Sequence, residues 1–216
     1  GLLFSREAAS ERSPDLPGKG WLLPTLLWYS PTWGTLLLLI GCGILFSVML
    51  MGGIVPVVSV LGVWACYLSV TVVSAPFLNF QWDILLLETC FLSVCFLPWV
   101  LFSGPRSSPE PSKLGRFLIV CLLFKLMYES GIVKFTYFGA NNSNTWEDLT
   151  ALNFHYWTQP IPSWSSWYFD RLPAFFDKAS LWFMYTVELI LPFFFFLPRN
   201  LRRLAFVGQV LLQILI

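Results

Sequence analysis

The sequence predicts an all-α fold, a polytopic transmembrane helix bundle with a long aromatic loop of short interfacial helices, and three observations predict it. Hydrophobic residues make up 56% of the 216-residue chain and charged residues only 12%, about half the charged share of an ordinary soluble domain. The apolar residues gather into runs near the length that crosses a bilayer as a helix. Between two of these runs lies the segment 134–178, dense in tryptophan, tyrosine and phenylalanine yet broken by proline and glycine.

Residues 1–34 are polar and bear proline and glycine, then carry Trp21, Trp28, Tyr29 and Trp33 just before the first apolar run. Aromatics in that position form a membrane-interface belt. Residues 35–51 make the first span, closed by Gly52 and Gly53. Residues 54–78 make the second, with Pro56 and Pro76 at its ends, where proline does least harm to a helix. The pair forms either two full crossings or a re-entrant hairpin, and the topology that follows is the same for both. The third span occupies 84–102, the fourth 114–133, the fifth 179–197 and a sixth 204–216, with the aromatic segment 134–178 between the fourth and fifth.

Orientation follows from the basic residues. Arg106, Lys113 and Arg116 lie in one short loop, and Arg199, Arg202 and Arg203 in another, so both face the cytosol by the positive-inside rule. Segment 134–178 and residues 1–34 then face the lumen or exterior. Asn141 opens a glycosylation sequon in that segment, in keeping with a lumenal side. The absence of an initiator Met and of a basic leader, and the apolar run at the C-terminus, suggest a piece of a longer protein.

Several function classes are excluded. A net charge of +1 leaves no basic stripe for nucleic acid. Cys42, Cys66, Cys90, Cys95 and Cys121 all lie in apolar runs without a CxxC pair, which reads as packing rather than a disulfide framework or zinc site. His155 is the single histidine, so a metal centre lacks ligands. No motif of a soluble enzyme and no cofactor signature is present.

Ionisable groups inside apolar spans are costly and therefore functional candidates. Here they are Asp83, Glu88, Lys125, Glu129, Lys134 and Glu188. Centring each span in the bilayer at 1.5 Å per residue puts Lys125 and Glu188 both near mid-depth, which makes them expected partners. Glu88 and Glu129 fall roughly 7 Å towards the lumenal side, with Asp83 and Lys134 at that boundary. Gln81 and Gln209 are donors available to surplus acids, and Pro192 leaves the Glu188 carbonyl without its helical donor. The network serves either helix packing or chemistry, the latter with Lys134, Glu129 and Asp83 as catalytic candidates. In the loop, Trp146, His155, Trp157 and Trp164 are candidates for docking a client protein, and Gln159 to Pro162 form a rigid joint.

Four stretches then carry a resemblance: FQWDILLLE from Phe80 to Glu88, FKLMYESGIVKF from Phe124 to Phe135, WEDLTALNFHYWTQPIP from Trp146 to Pro162, and LRRLAFVGQVLLQILI from Leu201 to Ile216. In this order they resemble the lipase maturation factor family. The resemblance implies a multi-pass protein of the endoplasmic reticulum membrane, not an enzyme, that assists folding, assembly and secretion of clients such as homodimeric lipases. It also implies a preceding transmembrane helix and a following lumenal domain. For a bacterial source, the same architecture places the protein in the plasma membrane. A shorter likeness, Ser130 to Phe135, is similar to the membrane domain of vitamin K-dependent gamma-carboxylases and implies Lys134 as a base in a membrane enzyme. An ion transporter built on Lys125, Glu129 and Glu188 is a third reading, though no internal repeat supports it.

Overall fold

The structure is a computed structural model that describes residues 25–30, 32–74, 77–78, 80–104, 110–136, 143–158 and 164–215. Regular structure among them is helical throughout: α1 (Trp33–Met51), α2 (Pro56–Val73), α3 (Gln81–Phe96), α4 (Lys113–Thr136), α5 (Leu152–Thr158), α6 (Ser166–Phe169), α7 (Ala174–Tyr185) and α8 (Arg199–Leu215), with a short 3-10 turn at Leu26–Trp28. After α7 the helix continues as a π turn over Thr186–Ile190 and a 3-10 stretch over Leu191–Phe196. Among the described residues, three helical runs are long and apolar enough to cross a membrane: Trp33–Met51, Pro56–Val73 and Ala174–Phe196. Helix α4 has the length but carries Lys113, Arg116, Lys125, Glu129 and Lys134. The chain divides into two compact units, 1–119 and 120–216.

The first unit is built on the α1–α2 hairpin. Thr32 caps α1 through its hydroxyl, which accepts the Thr35 N–H at 3.2 Å. Gly43 lies against Cys66, and Gly62 against the Phe46 ring, so the two helices run antiparallel. The turn between them needs glycine at position 53: φ is +67°, and a Cβ there would meet the Ser103 carbonyl oxygen at 2.0 Å. The same turn pairs with the chain after α3, where the Val55 N–H donates to the Leu101 carbonyl at 2.7 Å and the Ser103 N–H to the Gly53 carbonyl at 2.8 Å. Helix α3 stops at Phe96, short of the expected 102. Leu97 precedes Pro98 and takes extended angles, φ −75° and ψ 147°, as a residue before proline does. Ser112 ties this end to α4, its hydroxyl donating to the Cys95 carbonyl at 2.6 Å and accepting the Gly115 N–H at 2.9 Å.

The second unit packs α4 antiparallel to the α7 run. Phe135 meets Tyr185, Tyr128 meets Phe193, and Phe124 meets Phe196. Gly131 lies at the closest approach, where an added Cβ would sit 2.5 Å from the Leu189 side chain and 3.1 Å from Glu188 Cβ. Met127, Leu181, Met184, Val187, Leu191, Ala205 and Leu212 fill the core. Helix α7 begins at Ala174, not 179, and α8 at Arg199, not 204. Both extensions carry charged residues, Asp177 and Lys178 in one and Arg199, Arg202 and Arg203 in the other, which a search for apolar runs cannot include.

Candidate functional site

The antiparallel register decides which charges meet. Glu188 lies level with Gly131, one helical turn from Lys134 and well away from Lys125, which is nine residues, about 13 Å along the axis, before Lys134. The carboxylate accordingly accepts from Lys134 Nζ at 2.6 Å and not from the expected Lys125. Centring the two spans separately misjudged their register by about two turns, because the close approach at Gly131 and the aromatic contacts on either side of it, not the span centres, set that register. Both side chains are enclosed, Glu188 at 5% and Lys134 at 14% exposure.

The Lys134 ammonium has three hydrogens and three destinations. One meets Glu188, a second donates to the Ser130 carbonyl at 2.8 Å, and the Trp146 indole face lies 5.4 Å away, within cation–π range. Asn144, itself buried, fastens the approach of Trp146. Its amide donates to the Lys134 carbonyl at 2.8 Å, and its side-chain oxygen accepts the Trp146 N–H at 3.0 Å. From the other side, the Tyr185 hydroxyl donates to the Trp146 carbonyl at 2.7 Å. Residues 144–146 of the aromatic loop are thus fastened to α4 through Asn144 and to α7 through Tyr185, with the Lys134 ammonium beneath the Trp146 ring.

The other nominated residues fall elsewhere. Asp83 is buried in the first unit at the N-terminus of α3. One of its oxygens accepts from the Tyr67 hydroxyl at 2.5 Å and the other from the Phe80 N–H at 3.0 Å, the N3 half of a capping arrangement. Glu88 is half-buried on α3, while Lys125 and Glu129 are on the exposed side of α4. Trp146, expected on a docking face, is half-buried over Lys134, and His155 is half-buried on α5. Burial, with the Lys134 charge adding to it, holds the His155 imidazole below its ordinary pKa. Trp157 and Trp164 are exposed, at 65% and 84%. Asn141 and Gln159 to Pro162 lie outside the described residues. Among the described residues, no group of three His, Cys, Asp or Glu side chains could hold a metal ion.

Sequence reasoning missed Asn144, Ser130 and the Tyr67 hydroxyl, none of which stands out by spacing. Gln209, expected to serve an acid, instead donates to the Val187 carbonyl at 3.0 Å.

Comparison with known proteins adds one consistent set of likenesses. A family model described as "Lipase maturation factor transmembrane domain" matches residues 1–216. "Lipase maturation factor 2" of Homo sapiens is 39% identical over 220 residues, covering 92% of this chain and 31% of the human protein. Its Gallus gallus counterpart is 41% identical over 99% of this chain and 32% of its own length. "Lipase maturation factor 1" of Mus musculus is 33% identical over 89% of this chain and 33% of its own length. The chain spans about a third of these relatives. No solved structure matches.

Proposed function

Because this chain belongs to the lipase maturation factor family, we propose that it is the membrane-embedded part of a factor that helps secreted clients, lipases among them, to fold and assemble in the endoplasmic reticulum. In this reading six segments cross or enter the membrane, and the loop 134–178 faces the lumen. The observation that carries the proposal is the Lys134–Glu188 pair with Trp146 over it, at 2.6 Å and 5.4 Å. It makes the first part of the aromatic loop a fixed platform rather than a loose connection. Beyond it, Trp157 and Trp164 turn their rings outward. Aromatic side chains of this kind offer a folding intermediate large contact area at small entropic cost.

The test is co-expression of the full-length protein with a secreted homodimeric lipase. Trp157→Ala together with Trp164→Ala should lower secretion of active lipase severalfold at unchanged abundance of the factor. Unchanged lipase secretion at normal factor abundance would remove the loop from the mechanism.

A further inference from the structure

The Lys134–Glu188 contact depends on a backbone irregularity that needs its own explanation. Glu188 sits inside the π turn Thr186–Ile190, where the Leu191 N–H reaches back to the Thr186 carbonyl, five residues earlier. In that register the next carbonyl, Val187, would receive the N–H of residue 192. That residue is Pro192, which has none. In the π register the Val187 carbonyl is therefore left without a helical donor. Val187 is fully enclosed, away from any water that could satisfy it. The Gln209 side-chain amide occupies that place, donating at 3.0 Å from α8. Its neighbour Gly208 lets α8 come close, since a Cβ there would lie 2.4 Å from the Leu191 side chain.

We propose that Gln209 is a positioning residue, a register clamp that supplies the donor Pro192 cannot and thereby holds the π turn that aims Glu188 at Lys134. This rests on the reading of the Lys134–Glu188 pair as the fastening of the loop. Without the clamp, the Val187 carbonyl can be paired only if the helix shifts register, and the shift carries Glu188 round the helix away from the lysine. The device is a long-range substitute for one missing backbone hydrogen bond, placed one residue from the functional carboxylate. Single-turn π insertions of this kind collect at functional sites.

The experiment uses the full-length protein in lipid nanodiscs, with Gln209→Leu, Pro192→Ala and the double variant. Two readouts are taken: thermal stability, and labelling of Glu188 by dicyclohexylcarbodiimide, which modifies protonated carboxyls in apolar surroundings and spares a carboxylate held by an ammonium. Gln209→Leu should lower the Tm and raise Glu188 labelling roughly fivefold or more, the equilibrium effect of leaving one buried carbonyl unpaired. Pro192→Ala returns an N–H to the chain, so the double variant should recover the Tm of Pro192→Ala alone. Wild-type labelling in Gln209→Leu, or Tm losses that simply add in the double variant, would overturn the clamp. The two ideas separate cleanly. Rescue by Pro192→Ala alongside a functionally silent Lys134→Met, Glu188→Leu pair keeps the clamp and rejects the fastening. Additive losses alongside a Lys134→Met, Glu188→Leu pair that frees the loop do the reverse.

Discussion

Among the described residues, each unit of this chain buries one carboxylate, and the two are neutralised in opposite ways. Asp83, in the first unit, is met by uncharged donors, a tyrosine hydroxyl and a backbone N–H at a helix N-terminus, where the helix dipole already favours a negative charge. Glu188, in the second, is met by a full positive charge from another helix. The first solution is mostly local: the Phe80 N–H lies three residues from Asp83, and nothing beyond α2 and α3 is engaged. The second joins α4, the π turn and, through Trp146 and Asn144, the beginning of the aromatic loop. A carboxylate that only ends a helix can be satisfied by its neighbours. One that draws a loop onto a helix pair needs a partner with reach, and lysine has it.

Breaking the two carboxylates should therefore have unequal consequences. Lys134→Met leaves Glu188 buried without a counter-charge and should cost about 3–5 kcal/mol, visible as loss of folded protein. Replacing both partners, Lys134→Met with Glu188→Leu, should restore much of the abundance while client secretion stays low, since the loop has lost its anchor. Recovery of secretion along with abundance would reduce the pair to packing. Gly131→Ala forces a Cβ against Leu189 and should cost about 1–3 kcal/mol, measured as a fall in Tm. Asp83→Asn keeps an acceptor for Tyr67 and should cost about 1 kcal/mol, with secretion little changed.

The smallest effect is one of pH. His155 titrates lower in the folded protein than its usual value because it is buried and Lys134 lies nearby. The unfolded loop thus binds the proton more readily, so loop stability is complete above the ordinary histidine pKa and declines as pH falls through it towards the lowered one. Hydrogen exchange over 150–158 should rise modestly on acidification, and His155→Gln should flatten that dependence.

Much of this architecture was legible before any coordinates. The apolar runs, the Gly52–Gly53 break, the short helices of the aromatic loop and the enclosure of Lys134 and Glu188 all follow from residue type and spacing. Their pairing did not, because two spans centred independently have no register, and register comes from the approach at Gly131 and the aromatic contacts beside it. Pro192 announced a missing donor, yet which carbonyl lost it depended on a π turn that no local pattern announces. Trp146 was prominent as an aromatic, but its place over Lys134 is set by Asn144, a polar loop residue like several around it. Lys113 and Arg116 in α4, Lys178 in α7 and the arginines of α8 blurred helix ends that hydropathy alone reads as loop.

The measurement that bears most directly on the central claim is hydrogen exchange of the full-length protein in nanodiscs, comparing wild type with the Lys134→Met, Glu188→Leu pair. Residues 144–158 should lose protection by tenfold or more, the effect of about 1.4 kcal/mol or greater on local opening, while α1 and α2 exchange as before. Unchanged protection across 144–158 in a folded double variant would contradict the claim that this ion pair holds the loop.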